Sequence, residues 1–550
     1  MSFNILVGGK AGQGVATVSF ILGKTLTSMG YYVFEYRDYQ SLIKGGHNFN
    51  VISVSNRPIY SHENEFDIIV ALDQNTIEKH GKKLKKDGYV VASTNLKVSK
   101  KALQVDVDSI LQKYGAPKIM GNMVLVGVVS KSLGVNINVL LKVIRKSIKK
   151  SLKLQLRLVR EGYKRAKIVH NLKKVKSKGR KIFLTGNEAI ALGAIAAGLD
   201  IYIAYPMTPS TPVLHFLAQK QLKYDHLVIQ PENEIAVVNM ALGASYAGAM
   251  AMVGTSGGGF ALMNEALSLQ GMNEIPLVVY LAQRAAPSTG VPTYTSQGDM
   301  KFVLNAGHGE FLRVVVAPGD AKEAFQRTVE AFYLSYKYRT LSIILGDKHL
   351  GESRYTFDDF GKLKVKPERF ILKKVYKGFK NYKITKTGVS PRGVPGQKAV
   401  IRATSYEHDE YGYTTEEGEW IVKMNNKRWK KNKFIKKEIN KLNPVSVYGK
   451  GKNLIVSWGS TKGAILDALK RLKDFRFLQI SYLKPFPSER VKKVLESSKK
   501  VVLVENNVTG LLGDVIRENT GINIETKVLK YDARPFTPSY IMKEIKKVVK

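Results

Sequence analysis

Cysteine is absent from the 550 residues of this sequence. That excludes disulfides, cysteine-ligated zinc and an iron–sulfur cluster held by thiolates of this chain. The nine histidines are scattered with no H-x-x-x-H pair, so no metal site is expected. No long apolar run reads as a membrane span. Met1 leads almost directly into a strand-like run, FNILV, without the charged and apolar regions of a signal peptide, so a cytoplasmic protein without membrane contact is expected. Acidic residues are few, 45 Asp+Glu against 87 Lys+Arg, for a net charge of +42. A nucleic-acid surface, attraction to an acidic protein partner, or a lysine-rich proteome filling solvated faces would each produce that excess. It is spread along the chain without the interleaved aromatic residues of an RNA platform. The proteome reading therefore comes first and the acidic partner second, and no nucleic-acid partner is expected.

Apolar residues make up 44% of the chain, which suits globular packing. The length calls for about three domains. Residues 3–7, FNILV, predict a strand. Gly8-Gly9-Lys10-Ala11-Gly12-Gln13-Gly14 predict a loop, Val15 to Ser28 a helix and YYVFE (31–35) a second strand. Such a βαβ unit exposes loop amides that can cradle a phosphate, with Gly9, Gly12 and Gly14 as candidates. A tight strand-to-helix turn fits the same residues. The dinucleotide G-x-G-x-x-G fingerprint is not met, and Val15 stands where a Walker A loop needs lysine. Glu35 lies at a ribose-binding distance along the chain. Ser41 to Asn48 reads as a glycine turn carrying polar groups, and DIIVALD (67–73) as a third strand ending in Asp73. Residues 145–181 are lysine-rich: a partly exposed helix, then a solvated linker at 173–181.

A second strand–turn–helix–strand unit opens at IFLTG, and its strand IYIAY (201–205) runs into Pro206-Met207-Thr208-Pro209-Ser210-Thr211. Thr208 and Pro209 read as an N-cap and a first helical residue. A strand end feeding a helix is also where α/β proteins bind anions. The chain is organised around residues 230–259, QPENEIAVVNMALGASYAGAMAMVGTSGGG. Glu232 and Glu234 precede an Ala/Gly-rich helix from about Ile235 to Ala247; a short strand follows, then a turn through Thr255-Ser256-Gly257-Gly258-Gly259. A glycine run lets a turn take positive φ. A carboxylate at the mouth of a buried helix needs a partner or a shifted pKa, although a helix-start acid favouring the dipole fits as well. PLVVYLAQ (276–283) is a strand ending at Arg284, which either closes the strand at the surface or grips a carboxylate with two hydrogen bonds. His308 reads as structural. From 351 to about 450 the chain reads as a polar surface connector with a basic run, Lys423 to Lys441, and an exposed acidic stretch, 405–417. NLIVSWGS (453–460), a helix from Thr461, and KVVLVENN (500–507) form a last small α/β unit.

These stretches together resemble the 2-oxoacid:ferredoxin oxidoreductases over nearly the whole chain. Residues 1 to about 145 resemble the gamma subunit or domain, whose G-x-G-G-Q-G-V loop is present with Ala11 replacing one glycine. Tyr205-Pro206-Met207-Thr208-Pro209-Ser210 resembles the Tyr-Pro-Ile-Thr-Pro-Ser signature of the alpha subunit. The Glu234 stretch resembles the pyrimidine-binding domain of thiamine diphosphate enzymes, with Glu234, Met240, Ala241, Gly243 and the Thr255–Gly259 turn in register. The resemblance implies a multidomain α/β protein: a gamma-type domain with its linker at 1–180, a doubly wound pyrimidine-binding domain at 181–350, a connector at 351–450, and a transketolase C-terminal-like domain at 451–550 that serves assembly.

It also implies an alpha subunit with a fused gamma domain, catalysing coenzyme A-dependent oxidative decarboxylation of a 2-oxoacid with electrons passing to ferredoxin. Glu234 would activate thiamine diphosphate on a site formed with Pro206, Gly257 and Gly258, and Thr208 and Arg284 would hold the substrate. No Gly-Asp-Gly motif for Mg2+ and diphosphate is present, and there is no cysteine. A beta subunit must therefore supply the Mg2+ site and the iron–sulfur cluster, making a hetero-oligomer. The competing expectation is a non-catalytic nucleotide- or RNA-binding protein built on the glycine loop and the basic surface.

Overall fold

A computed structural model describes residues 2–40, 45–175, 179 and 181–549. The chain forms two compact units, Met1–Leu184 with Glu352–Asp359 and Thr537–Tyr540, and Thr185–Gly351 with Phe360–Phe536 and Ile541–Lys550. Among the described residues no helix is long and apolar enough to cross a membrane.

The first unit is built on a sheet ordered Ala102–Val105, Leu84–Ser93, Phe66–Ala71, Ser2–Lys10, His47–Ser55, Tyr32–Asp38, Arg354–Phe357 and Ile182–Thr185. The helix Val15–Ser28 stands where the sequence predicts it and buries Val18, Ile21 and Leu22. The two strands flanking it are both antiparallel to His47–Ser55, which lies between them. They therefore run parallel to each other without touching, and the expected βαβ unit is split by an inserted strand. That strand also corrects the expected Ser41–Asn48 turn. Ser41 to Lys44 lie outside the described residues, Gly45 and Gly46 have positive φ, and His47 and Asn48 already pair with Lys10 and Gly9. Strand HNFNVISVS is buried on both faces from Asn50 to Ser55, so it lacks the alternation that marks a half-exposed strand. The expected solvated linker begins pinned: Tyr31 Oη donates to the Lys173 carbonyl (2.8 Å) and the Val175 amide to that of Met29 (2.9 Å). The strand Ile182–Thr185, expected to open the next domain, lies at the edge of this sheet.

The second unit holds two sheets. The larger runs Tyr482–Lys484, Arg313–Val316, Leu341–Asp347, Leu277–Gln283, Ala251–Thr255, Ile201–Ile203 and Leu227–Ile229, parallel except at the Tyr482 edge. The smaller runs Val445–Gly449, Phe475–Ile480, Asn453–Ser457, Val501–Glu505 and Lys527–Leu529. Parallel strands covered on both faces read as near-continuous apolar runs, and Leu277–Gln283 is buried throughout.

The connector departs most from expectation. Its basic run is part of a 24-residue helix, Gly418–Lys441, with Met424, Ile435 and Ile439 buried. Lys427 and Lys431 are buried on the same face and grip the two oxygens of buried Glu274, Lys431 Nζ at 2.6 Å. The acidic stretch is also engaged: Glu407 pairs with Arg428, and Glu410 with Lys380 at 2.6 Å. A charge leaves water only when paired, so Glu274 is what permits a lysine-rich helix to dock. Glu274→Gln should therefore cost about 3–5 kcal/mol, because it leaves two buried ammonium groups uncompensated. Urea unfolding measures this, and a loss below about 1 kcal/mol would mean that the cluster behaves as a solvated surface pair.

Candidate active site

The C-terminal ends of Ile201–Ile203, Ala251–Thr255 and Leu277–Gln283 lie side by side in the larger sheet. That is the edge where open α/β sheets bind ligands. The described contacts link Arg284, Thr208, Glu234 and Gly257–Gly259 there in two steps. Arg284 follows the Leu277–Gln283 strand, is buried, and donates from Nη1 to the Thr208 carbonyl at 2.8 Å. Burial lowers the Arg284 pKa, and nearby Asp299 partly restores it.

Glu234 is the first residue of the helix Glu234–Tyr246, capped by Asn233 Oδ1, which accepts from the Ala236 amide at 3.0 Å. Glu234 is 4% exposed, and among the described residues no donor meets its carboxylate. Glu232, two residues earlier, is exposed.

The glycine run is not the positive-φ turn the sequence predicts. Thr255 ends a strand, Ser256 is an N-cap, and Gly257–Leu262 is a helix whose three glycines all lack positive φ. Space explains them. A Cβ on Gly259 would lie 2.4 Å from Glu234 Oε1 and 2.2 Å from Thr255 Oγ1, and one on Gly257 2.6 Å from Asp299 Oδ2. Gly258 is exposed, and its nearest side-chain atom, Met207 Cε, would be 3.8 Å from a Cβ. The middle glycine is thus the one of the three at which a side chain would meet no close neighbour. Pro206 lies exposed on the same loop.

Thr208 is not an N-cap. The helix it precedes is Thr211–Tyr224, with Ser210 at the cap position and proline in the first turn. Thr208 instead stays in the loop, where its carbonyl receives Arg284.

Sequence reasoning missed Asp299, in the segment PTYTSQGDM. Its Oδ2 is buried with no partner among the described residues, and its amide donates to Gln283 Oε1 at 3.0 Å. Burial pushes its carboxyl up to about 6, against the pull of Arg284. The usable signal was a Gly-Asp pair shortly after an arginine-ended strand.

Other candidates fall elsewhere. Gly9 is in the Ser2–Lys10 strand, not the loop. Gly12 and Gly14 have positive φ; Gly14 is backed by Asn122 Nδ2, and Gly12 faces open space. Glu35 is buried, accepting from Asn50 Nδ2 (2.8 Å) and pairing with Arg354 (3.2 Å), so it holds the sheet together and is not free for a ribose. Asp73 caps the helix Gln74–His80 through the Thr76 amide at 2.9 Å. His308 is exposed, and its backbone exchanges hydrogen bonds with Ser268 Oγ.

A buried acid and a buried arginine thus stand at the ends of parallel strands, the edge where α/β proteins meet ligands. Comparison with known proteins narrows the class. Residues 192–427 match the family model for pyruvate flavodoxin/ferredoxin oxidoreductase, thiamine diP-binding, and residues 4–165 the model for pyruvate ferredoxin/flavodoxin oxidoreductase. The 2-oxoacid:ferredoxin oxidoreductase subunit alpha of a Sulfolobus species is 32% identical, covering 100% of this chain and 97% of its own length. The 2-oxoglutarate synthase subunit KorA of Methanocaldococcus jannaschii is 33% identical over 61% of this chain and 91% of its own. The 2-oxoglutarate:ferredoxin oxidoreductase of Magnetococcus marinus, solved with 2-oxoglutarate, coenzyme A and succinyl-CoA bound, superposes with a TM-score of 0.90 at 27% identity, covering 100% of both chains. The chain belongs to the 2-oxoacid:ferredoxin oxidoreductase family, as an alpha-type chain with a gamma-type domain at its N-terminus. It is an oxidoreductase, and the non-catalytic nucleotide- or RNA-binding reading has no support.

Asp299 gives a pH test of this geometry. Its folded pKa of about 6 lies above the unfolded value of 3.8. Between those values the folded chain binds more protons than the unfolded one, so stability falls as pH rises through the window. The change is at most about 3 kcal/mol. Asp299→Asn should flatten the profile of unfolding midpoint against pH between 4 and 6; an unaltered profile would show that Asp299 is solvated.

Proposed function

We propose that this chain is the alpha-type subunit, with its gamma-type domain fused, of an enzyme that oxidatively decarboxylates a 2-oxoacid, passing electrons to ferredoxin and the acyl group to coenzyme A. The observation that carries the reading is the Arg284–Thr208 contact, on the same strand-end crevice as a buried, donor-free Glu234. We read residues 1–180, 181–350, 351–450 and 451–550 as the gamma-type, pyrimidine-binding, connector and transketolase C-terminal-like parts, and place the enzyme in the cytoplasm.

The residues present suit thiamine diphosphate. Glu234 lacks a donor, and the opening at Gly258 admits a flat group against backbone. Glu234, Pro206, Gly257 and Gly258 would hold its pyrimidine side. When bound, the cofactor supplies the nucleophilic carbon that adds to a 2-oxo group. Glu234, its carboxylate buried beside Gly259 and Thr255, would hold a proton for exchange with the pyrimidine side. Arg284, its guanidinium already directed by the Thr208 carbonyl, receives the substrate carboxylate through its remaining N–H groups. The Thr208 hydroxyl supplies a second donor. Gly12, the open point of the N-terminal loop, is the candidate for a phosphate of coenzyme A.

A second chain completes the site. The Glu234–Tyr246 helix turns Ile235 (52% exposed) and Met240 (42%) outward, beside a Gly243 that faces open space, and Leu262 (52%) is equally bare. Apolar exposure of this kind marks an interface. A beta-type subunit would cover it and bring the Mg2+ site and the iron–sulfur cluster, for which this chain has no cysteine. Ferredoxin would take its electrons from that subunit.

Two substitutions test the assignment in the assembled complex. Glu234→Gln should bind thiamine diphosphate and slow its C2 proton exchange about 100- to 10,000-fold, whereas Glu232→Gln should leave exchange nearly unchanged. The reverse pattern would move the activating acid to Glu232. Arg284→Lys keeps the charge but loses the planar fork, so 2-oxoacid kcat/KM should fall by about 2–3 kcal/mol with cofactor binding retained. Unchanged kcat/KM would place the carboxylate site elsewhere.

A further inference from the structure

At the opposite edge of the larger sheet is a cavity of about 780 Å³. Tyr336 to Arg339 line it, immediately before the Leu341–Asp347 strand, whereas Arg284 follows the far end of its parallel neighbour Leu277–Gln283. Seven residues of strand put the cavity roughly 20 Å from the crevice. Its size is within the range of small-molecule sites, about 300–1,000 Å³.

The charge on its wall is one-sided. Lys337, Arg339, Lys386, Arg392, Lys437 and Lys441 line it against a single acid, Glu438. Glu438 is already engaged, with Lys337 Nζ at 3.1 Å, Lys441 Nζ at 3.6 Å and the hydroxyls of Tyr333 and Tyr338. Lys386 and Lys437 are exposed and have no acidic partner among the described residues.

The two arginines are buried, and their described hydrogen bonds go to carbonyls: Arg339 to those of Glu274, Asn381 and Pro391, Arg392 to those of Arg369 and Ser245. Glu274, the carboxylate whose field reaches Arg339, is held by Lys427 and Lys431. Burial pushes Arg392 down to about 10, and Arg339 and Arg369 push the same way. An uncompensated buried cation is costly, and an anion in the cavity relieves that cost. The rest of the lining is aromatic and apolar, with Phe370, Phe434, Leu372 and Val389. Phe370 is 38% exposed and Phe434 is half-buried, which leaves ring surface available for stacking.

We infer that this cavity is a binding site for a small nucleotide, its phosphates met by Lys386 and Lys437 and its base by the Phe370 and Phe434 rings. Cations beside aromatic rings suit a ligand with both a charged and a planar part. The site is separate from the crevice of Arg284 and does not depend on the reaction proposed for it.

The test is calorimetric titration of the full chain with ATP, adenosine and inorganic pyrophosphate. ATP should bind saturably, and adenosine and pyrophosphate each at least about tenfold more weakly. Lys386→Glu with Lys437→Glu changes two exposed side chains and should weaken ATP by at least about tenfold. Lys146→Glu with Lys149→Glu, equally exposed lysines outside the cavity, makes the same charge change and should alter ATP binding by less than about twofold. Phe370→Ala should erase the preference for ATP over pyrophosphate. Equal losses in both lysine pairs would reduce the binding to the chain's overall charge, or to a site elsewhere such as one for coenzyme A. Pyrophosphate binding as tightly as ATP, or no saturation by ATP, would equally overturn the site.

Discussion

Gln297 ties segment 293–300 to the residues that follow two strands of the smaller sheet. It is fully buried and exchanges four hydrogen bonds with them. Its amide donates to the Asn506 carbonyl (2.8 Å), and its Oε1 accepts from the Asn506 amide (2.9 Å). Its Nε2 donates to the Trp458 carbonyl (3.0 Å), and its own carbonyl accepts from Asn507 Nδ2 (3.1 Å). Each such bond is worth only about 1 kcal/mol net, but an unmet buried amide costs more. Segment 293–300 therefore has one satisfied position. Two residues on, Asp299 bonds to Gln283 and packs against Gly257. The surroundings of Arg284 thus rest on contacts made by the last hundred residues. A domain expected to serve assembly more than chemistry also holds the segment that carries Asp299. Its own strand end is equally enclosed, with Glu505 accepting from Trp458 Nε1 at 2.8 Å and pushed up to about 7 by burial.

The sequence shows most clearly those elements whose signal is local. The helix Val15–Ser28 and the strand Leu277–Gln283 each carry their own periodicity or apolar run, and each stands close to its expected bounds. The inserted strand His47–Ser55 was hidden because burial on both faces removes the alternation that marks a strand. The N-cap reading of Thr208 failed for a different reason. A Thr-Pro pair carries the local chemistry of a helix start, yet the helix begins three residues later and the threonine's carbonyl goes to an arginine 76 residues away. Long-range contacts of this kind leave no trace in local propensity. Asp299 was missed on the same ground, since its meaning depends on what the fold places beside it.

Composition misled in one direction only. A lysine-rich, weakly periodic stretch reads as solvated surface because lysine is almost never buried alone. Gly418–Lys441 escapes that rule through one acid, Glu274, which lies more than 150 residues earlier. The ammonium groups that meet it are 0% and 3% exposed. The +42 charge is therefore not all surface charge: part of it is internal wiring that fixes the connector helix. Part, at Lys386 and Lys437, is exposed and forms no ion pair among the described residues.

Glu232 and Glu234 show how the fold resolves what spacing leaves open. On an extended segment a two-residue shift keeps a side chain on the same face, so the two acids look interchangeable. The extended run ends at that point, because Asn233 caps a helix that begins with Glu234. The cap leaves Glu232 in solvent and turns Glu234 inward, against Thr255 and Gly259. Any side chain at 259 would collide with that carboxylate, so the last glycine of the run and the buried acid require each other. The glycine run had suggested a flexible turn. Its outer members instead make room for carboxylates, Glu234 at one end and Asp299 at the other, while Gly258 between them keeps the surface open. Three consecutive glycines in an unstrained helix start are explained by what surrounds them, two carboxylates at the outer positions and open space at the middle one.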